Sequence, residues 1–245
     1  MIELRALPVD CAERRQESVC ATCGARAFSV CAGLLPEDLS RLDAMAERMS
    51  LAAGDVLARQ DDPAISVFNI TSGAVRIYRL LADGRRQIIG FLFAGDFLGL
   101  AAGERYAVSA EAMEETTLCR FRAAEYRTLA RERSGLEAAL LGRAMHELAA
   151  AQNQMTLLGR KTARERVASF LLEMLERDAV RLPADMAVRL PMTRSEIADY
   201  LGLTIETVSR EMTKLRTAGV LHALSLHEIR IEQHDRLRAL ADGAL

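Results

Sequence analysis

Between residues 54 and 121 apolar and polar positions alternate in steps of two; from residue 125 onward they recur in steps of three and four. The first region breaks into short runs between turn signals. Residues 55–60 stop at Asp61-Asp62-Pro63, and residues 67–70 stop at Thr71-Ser72-Gly73. Over residues 74–81, Val75 and Ile77 alternate with Arg76 and Tyr78. Asp83-Gly84 then predicts a two-residue type I′ turn, with positive φ at both positions, and Arg86–Phe93 is the return strand. Residues 106–112 and 116–121 complete the set. Short strands joined by Gly and Asp turns, with no helices between them, predict an antiparallel sandwich or roll.

Helical spacing flanks this region. Residues 34–48 read as a short amphipathic helix after Pro36, with Leu39, Leu42, Met45 and Ala46 on one face. Residues 125–133 begin a helical part that Ser134-Gly135 interrupts. Over residues 135–160, Leu141, Ala144, Leu148, Ala151, Met155 and Leu158 recur in the a/d pattern of a narrow seam between two helices. The same spacing would suit a helix packed inside one domain. Gly159 marks a hinge at the end of the seam. Residues 162–177 form a further amphipathic helix, with Val167, Phe170, Leu171 and Leu175 inward, and Pro183 and Pro191 bracket a strand at 187–190.

Residues 192–220 carry the most specific pattern. Thr193 and Glu196 form a capping box at a helix start, and Ile197, Ala198 and Leu201 make its inward face. Gly202 supplies a sharp turn and Thr204 caps a second helix. In that helix Val208, Met212 and Leu215 point inward, leaving Glu206, Ser209, Arg210 and Lys214 outward. Helix, Gly turn and capped helix with a polar outer face is the helix-turn-helix pattern, whose second helix enters the DNA major groove. Strands at 220–223 and 228–231 would be the wing of a winged helix. Arg210 can bond guanine bidentately, Glu206 can accept from cytosine N4, and Ser209 suits either kind of edge. The competing view is a mere surface pair of Glu206 with Arg210, four residues apart.

Composition constrains these elements without changing them. Hydrophobic residues are 50% and aromatics 4% with no Trp, so the cores must be built from Leu, Ala, Val and Ile. No run reaches the roughly 18 apolar residues of a membrane helix, and the N-terminus lacks a signal-peptide core, so a cytoplasmic protein is expected. The net charge of −2 means that DNA binding must rest on the motif and not on bulk charge. Five cysteines, Cys11, Cys20, Cys23, Cys31 and Cys119, argue for thiolate or metal chemistry and against a disulfide framework. Cys20-x2-Cys23-x7-Cys31 could wrap one metal centre, with Cys119 brought under it by the roll. Four thiolates suit tetrahedral zinc or a 4Fe–4S cluster, and spacing does not separate the two. His146, His222, His227 and His234 show no ligand spacing.

A β-roll, a long seam helix and then MTRSEIADYLGLTIETVSREMTKLRTAGVL resemble the CRP/FNR superfamily of bacterial transcription regulators over nearly the whole chain. The triplet Glu206-x-x-Ser209-Arg210 has the spacing of the FNR and FixK branches. The resemblance implies an α+β protein: a cysteine-rich segment at 1–33, an antiparallel β-roll of the cyclic-nucleotide-binding type at 34–133, a dimerisation helix at 134–160, and a C-terminal winged helix-turn-helix at 161–245. It further implies a homodimer that is not an enzyme and reads a TTGAT-like inverted repeat in double-stranded DNA through Glu206, Ser209 and Arg210. Cyclic-nucleotide members carry a ribose-binding Glu and an Arg-Ser pair; Leu100 stands where that Glu would be, and Arg105 is in the wrong company, so no cyclic nucleotide is expected. The FNR branch implies an oxygen-labile 4Fe–4S cluster on Cys20, Cys23, Cys31 and Cys119, with Cys11 left over. It also implies contact with RNA polymerase through exposed turns such as residues 81–86. The rival expectations are a cluster-free FixK-like or zinc/thiol redox-sensing regulator of the same fold, and an iron–sulfur electron-transfer protein.

Overall fold

The computed structural model describes the chain apart from residues 1–19, 21, 100–102, 180–186 and 245, so the readings of Cys11, Leu100 and Pro183 lie outside the described residues. A short 3-10 turn, Arg26–Phe28, lies between Cys23 and Cys31. Helix α1 (Pro36–Met45) follows, with Pro36 in its first turn, where the missing N–H costs nothing. Eight strands come next: β1 (Glu47–Leu51), β2 (Val56–Ala58), β3 (Ser66–Ser72), β4 (Ala74–Leu80), β5 (Arg86–Phe93), β6 (Phe97–Leu98), β7 (Ser109–Ala112) and β8 (Thr116–Arg122). They form two four-stranded antiparallel sheets, ordered β1-β8-β3-β6 and β2-β7-β4-β5.

The alternation on each strand decides what each face covers. On β8, Leu118 joins Phe68, Ile70, Val75 and Leu92 in the core between the sheets. Cys119 and Phe121 face the other way, into a second core with Cys31, Leu39, Leu42 and Tyr126. Tyr78, Ile88 and Phe91, on the second sheet, look outward into a third core made mostly by the C-terminal helices.

Helices α2 (Ala123–Glu132) and α3 (Ser134–Arg160) follow the roll, then α4 (Ala163–Ala179), β9 (Ala187–Arg189), α5 (Arg194–Leu201), α6 (Ile205–Thr217), β10 (Leu221–Ala223), β11 (Glu228–Ile231) and α7 (His234–Ala241). Strands β10, β11 and β9 make a small antiparallel sheet in that order. No helix among the described residues is long and apolar enough to cross a membrane.

Several sequence expectations need correction. The β4–β5 connection is not a two-residue type I′ turn, because Gly84 has φ +85° but Asp83 does not have positive φ. Gly84 N donates to Leu81 O and Leu81 N to Arg85 O, which is a three-residue loop with a glycine bulge; the Asp83 carboxylate accepts from Arg85 N and so favours it. Helix α1 stops at Met45, and Arg48 belongs to strand β1. The strand expected from Tyr106 begins only at Ser109, since Tyr106 is drawn into a turn by its bonds to Asp62 O and Ser66 O. Helix α3 runs through Gly159, and the break falls at Lys161, where the backbone turns extended.

Candidate functional site

The two helices of the C-terminal motif are locally determined. Thr193 Oγ1 accepts from Glu196 N, and Glu196 Oε2 accepts from Thr193 N at 2.7 Å, completing the capping box. Gly202 takes the left-handed conformation (φ 60°, ψ 43°), which lets α5 end and α6 start within three residues. Thr204 Oγ1 then caps α6 by accepting from Thr207 N. Arg166 on α4 braces this turn: it donates to Leu158 O and Lys161 O at the end of α3 and to Leu201 O at the end of α5, each at 2.9 Å. One guanidinium thus satisfies carbonyls that both helix ends leave over.

Glu206, Ser209 and Arg210 are all exposed on α6, while Val208, Met212 and Leu215 are buried. The surface-pair alternative does not form: no ion pair joins Glu206 to Arg210 among the described residues. Arg210 Nη2 donates to Thr207 Oγ1 at 3.3 Å, and its Nε lies 3.7 Å from Glu211. The Glu206 carboxylate is held below the usual range by its own backbone N–H and the Thr204 hydroxyl, so it stays an acceptor at neutral pH. Glu211 was missed in the sequence. It is buried and shares the stripe of Val208, Met212 and Leu215, a charged residue at a core-face spacing.

The motif is docked on the roll. Arg76 on β4 bridges Glu111 of β7 and Glu196, so the capping-box carboxylate is also an ion-pair partner. Arg86 and Gln87 on β5 reach Asp199 of α5, through its carboxylate at 3.1 Å and its carbonyl at 2.5 Å. Phe91, Phe170 and Tyr200 pack together between β5, α4 and α5, Phe91 edge-on to Phe170 and both tilted against Tyr200, with centroids 5.4 to 6.4 Å apart.

Asp96, 3% exposed, joins three elements. Its Oδ1 accepts from Arg143 of α3 at 2.5 Å, and its Oδ2 accepts from Arg177 of α4 at 3.2 Å and from Phe93 N at 2.9 Å. Its neighbour Gly95 has φ +91°, and a Cβ there would stand 2.9 Å from Phe28 Cβ, so the turn between Cys23 and Cys31 rests directly on this corner.

The cysteines gather beside it. Cys31 is buried and Cys20, Cys23 and Cys119 are half-buried; Cys20, Cys31 and Cys119 pack in one core with Leu136, the first buried residue of α3. Cys20 Sγ donates to Asp43 at 3.4 Å. Burial, Asp43 and the neighbouring thiols push Cys20 up to about 12. Burial pushes Cys119 up to about 11, against the pull of Arg48, with Cys23, Cys31 and Asp43 adding to the rise. Burial raises Cys31 too. Cys31 and Cys119 therefore lie within electrostatic reach of each other and of both Cys20 and Cys23. Among the described residues, however, no three His, Cys, Asp or Glu side chains stand close enough to share one metal ion.

On α3, Leu141, Ala144, Leu148, Ala151 and Met155 are exposed, Leu141 by 63% and Met155 by 66%. Met145, 59% exposed on the same helix, was missed, because strict a/d spacing assigns that turn to Ala144. Leu158 departs from the expected stripe: it packs against the C-terminal core and lies 3.4 Å from the Cβ position of Gly202.

Residues 48–133 match the family model of a cyclic nucleotide-binding domain, and residues 165–240 that of a Crp-like helix-turn-helix domain. The nitrogen fixation regulation protein FixK of Bradyrhizobium diazoefficiens is 41% identical over 202 residues, covering 82% of this chain and 85% of its own length. The transcriptional activator protein anr of Pseudomonas aeruginosa is 35% identical over 247 residues, covering 100% of this chain and 98% of its own. The solved structure of FixK2 from Bradyrhizobium japonicum is similar with a TM-score of 0.74 and 39% identity, covering 80% of this chain and 96% of that one. The chain is a DNA-binding transcription regulator and not an enzyme. It belongs to the FNR/FixK branch of the CRP/FNR family.

Proposed function

We propose that this regulator is an oxygen-responsive homodimer that holds a 4Fe–4S cluster on Cys20, Cys23, Cys31 and Cys119 and reads a TTGAT-like inverted repeat through Glu206, Ser209 and Arg210. Its strongest support is the convergence of thiols from a loop and from β8 at one corner, beside the first buried turn of α3. The donor chemistry fits such a group. Burial disfavours the thiolate form of Cys20, Cys31 and Cys119, so a cationic centre is what would hold thiolates there. Tyr126, 2% exposed in the same core, has a hydroxyl with no hydrogen-bond partner among the described residues, a donor that sulfur acceptors would satisfy. The anr relative matches the whole chain, cysteine segment included.

When bound, the cluster supplies an oxygen-labile cross-link between the N-terminal loop and the roll. The chain's own residues carry the rest. Cys20 to Cys31 keep Phe28 against Gly95; the adjacent Asp96 fixes Arg143 on α3 and Arg177 on α4. On this reading residues 1–33 are the sensor segment, 34–133 the roll, 134–160 the dimerisation helix and 161–245 the reader. Two paired α3 helices set two α6 helices about 34 Å apart, one DNA turn. In the 81–86 turn, residues 81–85 are exposed and available to RNA polymerase while Arg86 is engaged with Asp199, and no cyclic nucleotide is required.

A cluster-free FixK-like mode is the second reading, favoured by the 41% identity to FixK and by the absence, among the described residues, of three donors close enough for one ion. Iron and labile sulfide assayed on anaerobically purified protein separate the two. A colourless protein, or one holding a single zinc, sinks the cluster. Anaerobic protein that ignores the inverted repeat sinks the DNA assignment.

The seam makes its own prediction. Ala144 and Ala151 are exposed where larger residues would bury more apolar area at a helix pair. Ala151→Leu should strengthen the dimer by about 2 kcal/mol per buried leucine and blunt the oxygen response. An unchanged dissociation constant in sedimentation would remove Ala151 from the interface.

A further inference from the structure

We propose that Glu211 is a positioning residue for base reading: it holds Arg210 and Lys214 in place on α6 and limits sequence-independent binding. This rests on the reading of Arg210 as a guanine contact.

Glu211 lies in the recognition helix next to Arg210, yet its side chain is only 7% exposed. Its Oε1 is 2.7 Å from Lys214 Nζ and 3.7 Å from Arg210 Nε, and its Oε2 is 3.7 Å from Arg164 Nε on α4. The three cations are themselves 50%, 59% and 49% exposed. Three half-exposed cations surround this buried carboxylate, so its charge is paired where an unpaired one would be costly. Its fixed position sets theirs. With Nε directed to Glu211 and Nη2 to Thr207, the Arg210 fork is held at two points before DNA arrives. Bidentate reading of guanine O6 and N7 needs such a fixed plane. The same negative charge offsets part of the attraction of these cations for the phosphates of any duplex.

These two effects have opposite signs when the charge is removed. Glu211→Gln keeps the shape and an acceptor for Lys214. Binding of the full anaerobic chain is measured by fluorescence anisotropy, over a range of salt, on three duplexes: one with the inverted repeat, one with the half-site guanines replaced, and one unrelated. The ratio between the first two should fall about tenfold in Glu211→Gln. The unrelated duplex should bind more tightly, with a salt slope steeper by about 1 per protomer. A preserved ratio, or all three affinities falling together with the melting temperature, overturns the proposal. Should that variant fail to fold, Lys214→Gln carries the test. It leaves Glu211 to Arg210 and Arg164, so the ratio should hold while unrelated DNA binds less well; a lost ratio overturns the proposal. Arg210→Ala run alongside separates the two claims. If it keeps the ratio, base reading by Arg210 fails. If it loses the ratio and Glu211→Gln does not, only the positioning role fails.

Discussion

Cys31→Ser protein, purified without oxygen, should lose nearly all of its iron and labile sulfide and bind the inverted repeat about 5- to 150-fold less tightly. That range is the 1–3 kcal/mol usual for coupling between two sites. Cys31 is the informative choice because it is buried, in contact with the core that includes Leu136 of α3, while Cys20 and Cys23 are nearer the surface. Serine is nearly isosteric and its hydroxyl is a poor substitute for a soft thiolate, so the fold should survive and the centre should not. The unresponsive outcome is as definite. If wild-type protein carries no iron, and Cys31→Ser binds DNA as wild type does in air and under nitrogen, the regulator works in the FixK-like mode and the thiols are structural.

The parts of this molecule legible in its sequence are those determined by contacts a few residues apart. The Thr193–Glu196 capping box, the left-handed Gly202 and the Thr204 cap each involve neighbours within four residues, and all three are present as expected. The α6 faces follow because Val208, Met212 and Leu215 repeat at helical spacing over a long enough run. What failed depends on distant partners. Strands β1 and β6 have weak patterns of their own and exist because β8 and β3 offer free edges to them. Leu158 has seam spacing, yet the C-terminal core reaches it first. Asp96 reads as a turn residue beside Gly95, and nothing local announces Arg143 and Arg177, 47 and 81 residues away. Cys119 shows both sides: strand alternation puts it on the face opposite Leu118, but only the fold shows that the N-terminal loop lies on that face.

Asp96→Asn should cost about 3 kcal/mol of stability and disconnect the roll from both helices it now holds. Removing one member of a buried ion pair leaves the other charge uncompensated, at about 3–5 kcal/mol. The lower end applies because the Arg143 and Arg177 side chains keep 17% and 23% exposure. Arg143 also has Glu147 at 3.4 Å, and Arg177 also has Phe91 O at 2.7 Å, so neither is left with nothing. For a chain of this length the melting temperature should drop by about 6–12 °C. Loss of stability alone would not distinguish a relay from a local clamp. A double-mutant cycle of Asp96→Asn with Arg177→Gln should give a coupling of about 1–3 kcal/mol, since both remove the same contact. The discriminating measurement is DNA affinity with and without oxygen at a temperature where the variant is folded. If Asp96 transmits the state of the cysteine loop to α3 and α4, the variant should hold as much iron as wild type while its affinity for the inverted repeat no longer changes with oxygen. An oxygen response of wild-type size in a protein that is merely less stable would leave Asp96 as a structural clamp, and the path from Phe28 to α3 would have to run through Leu136 instead.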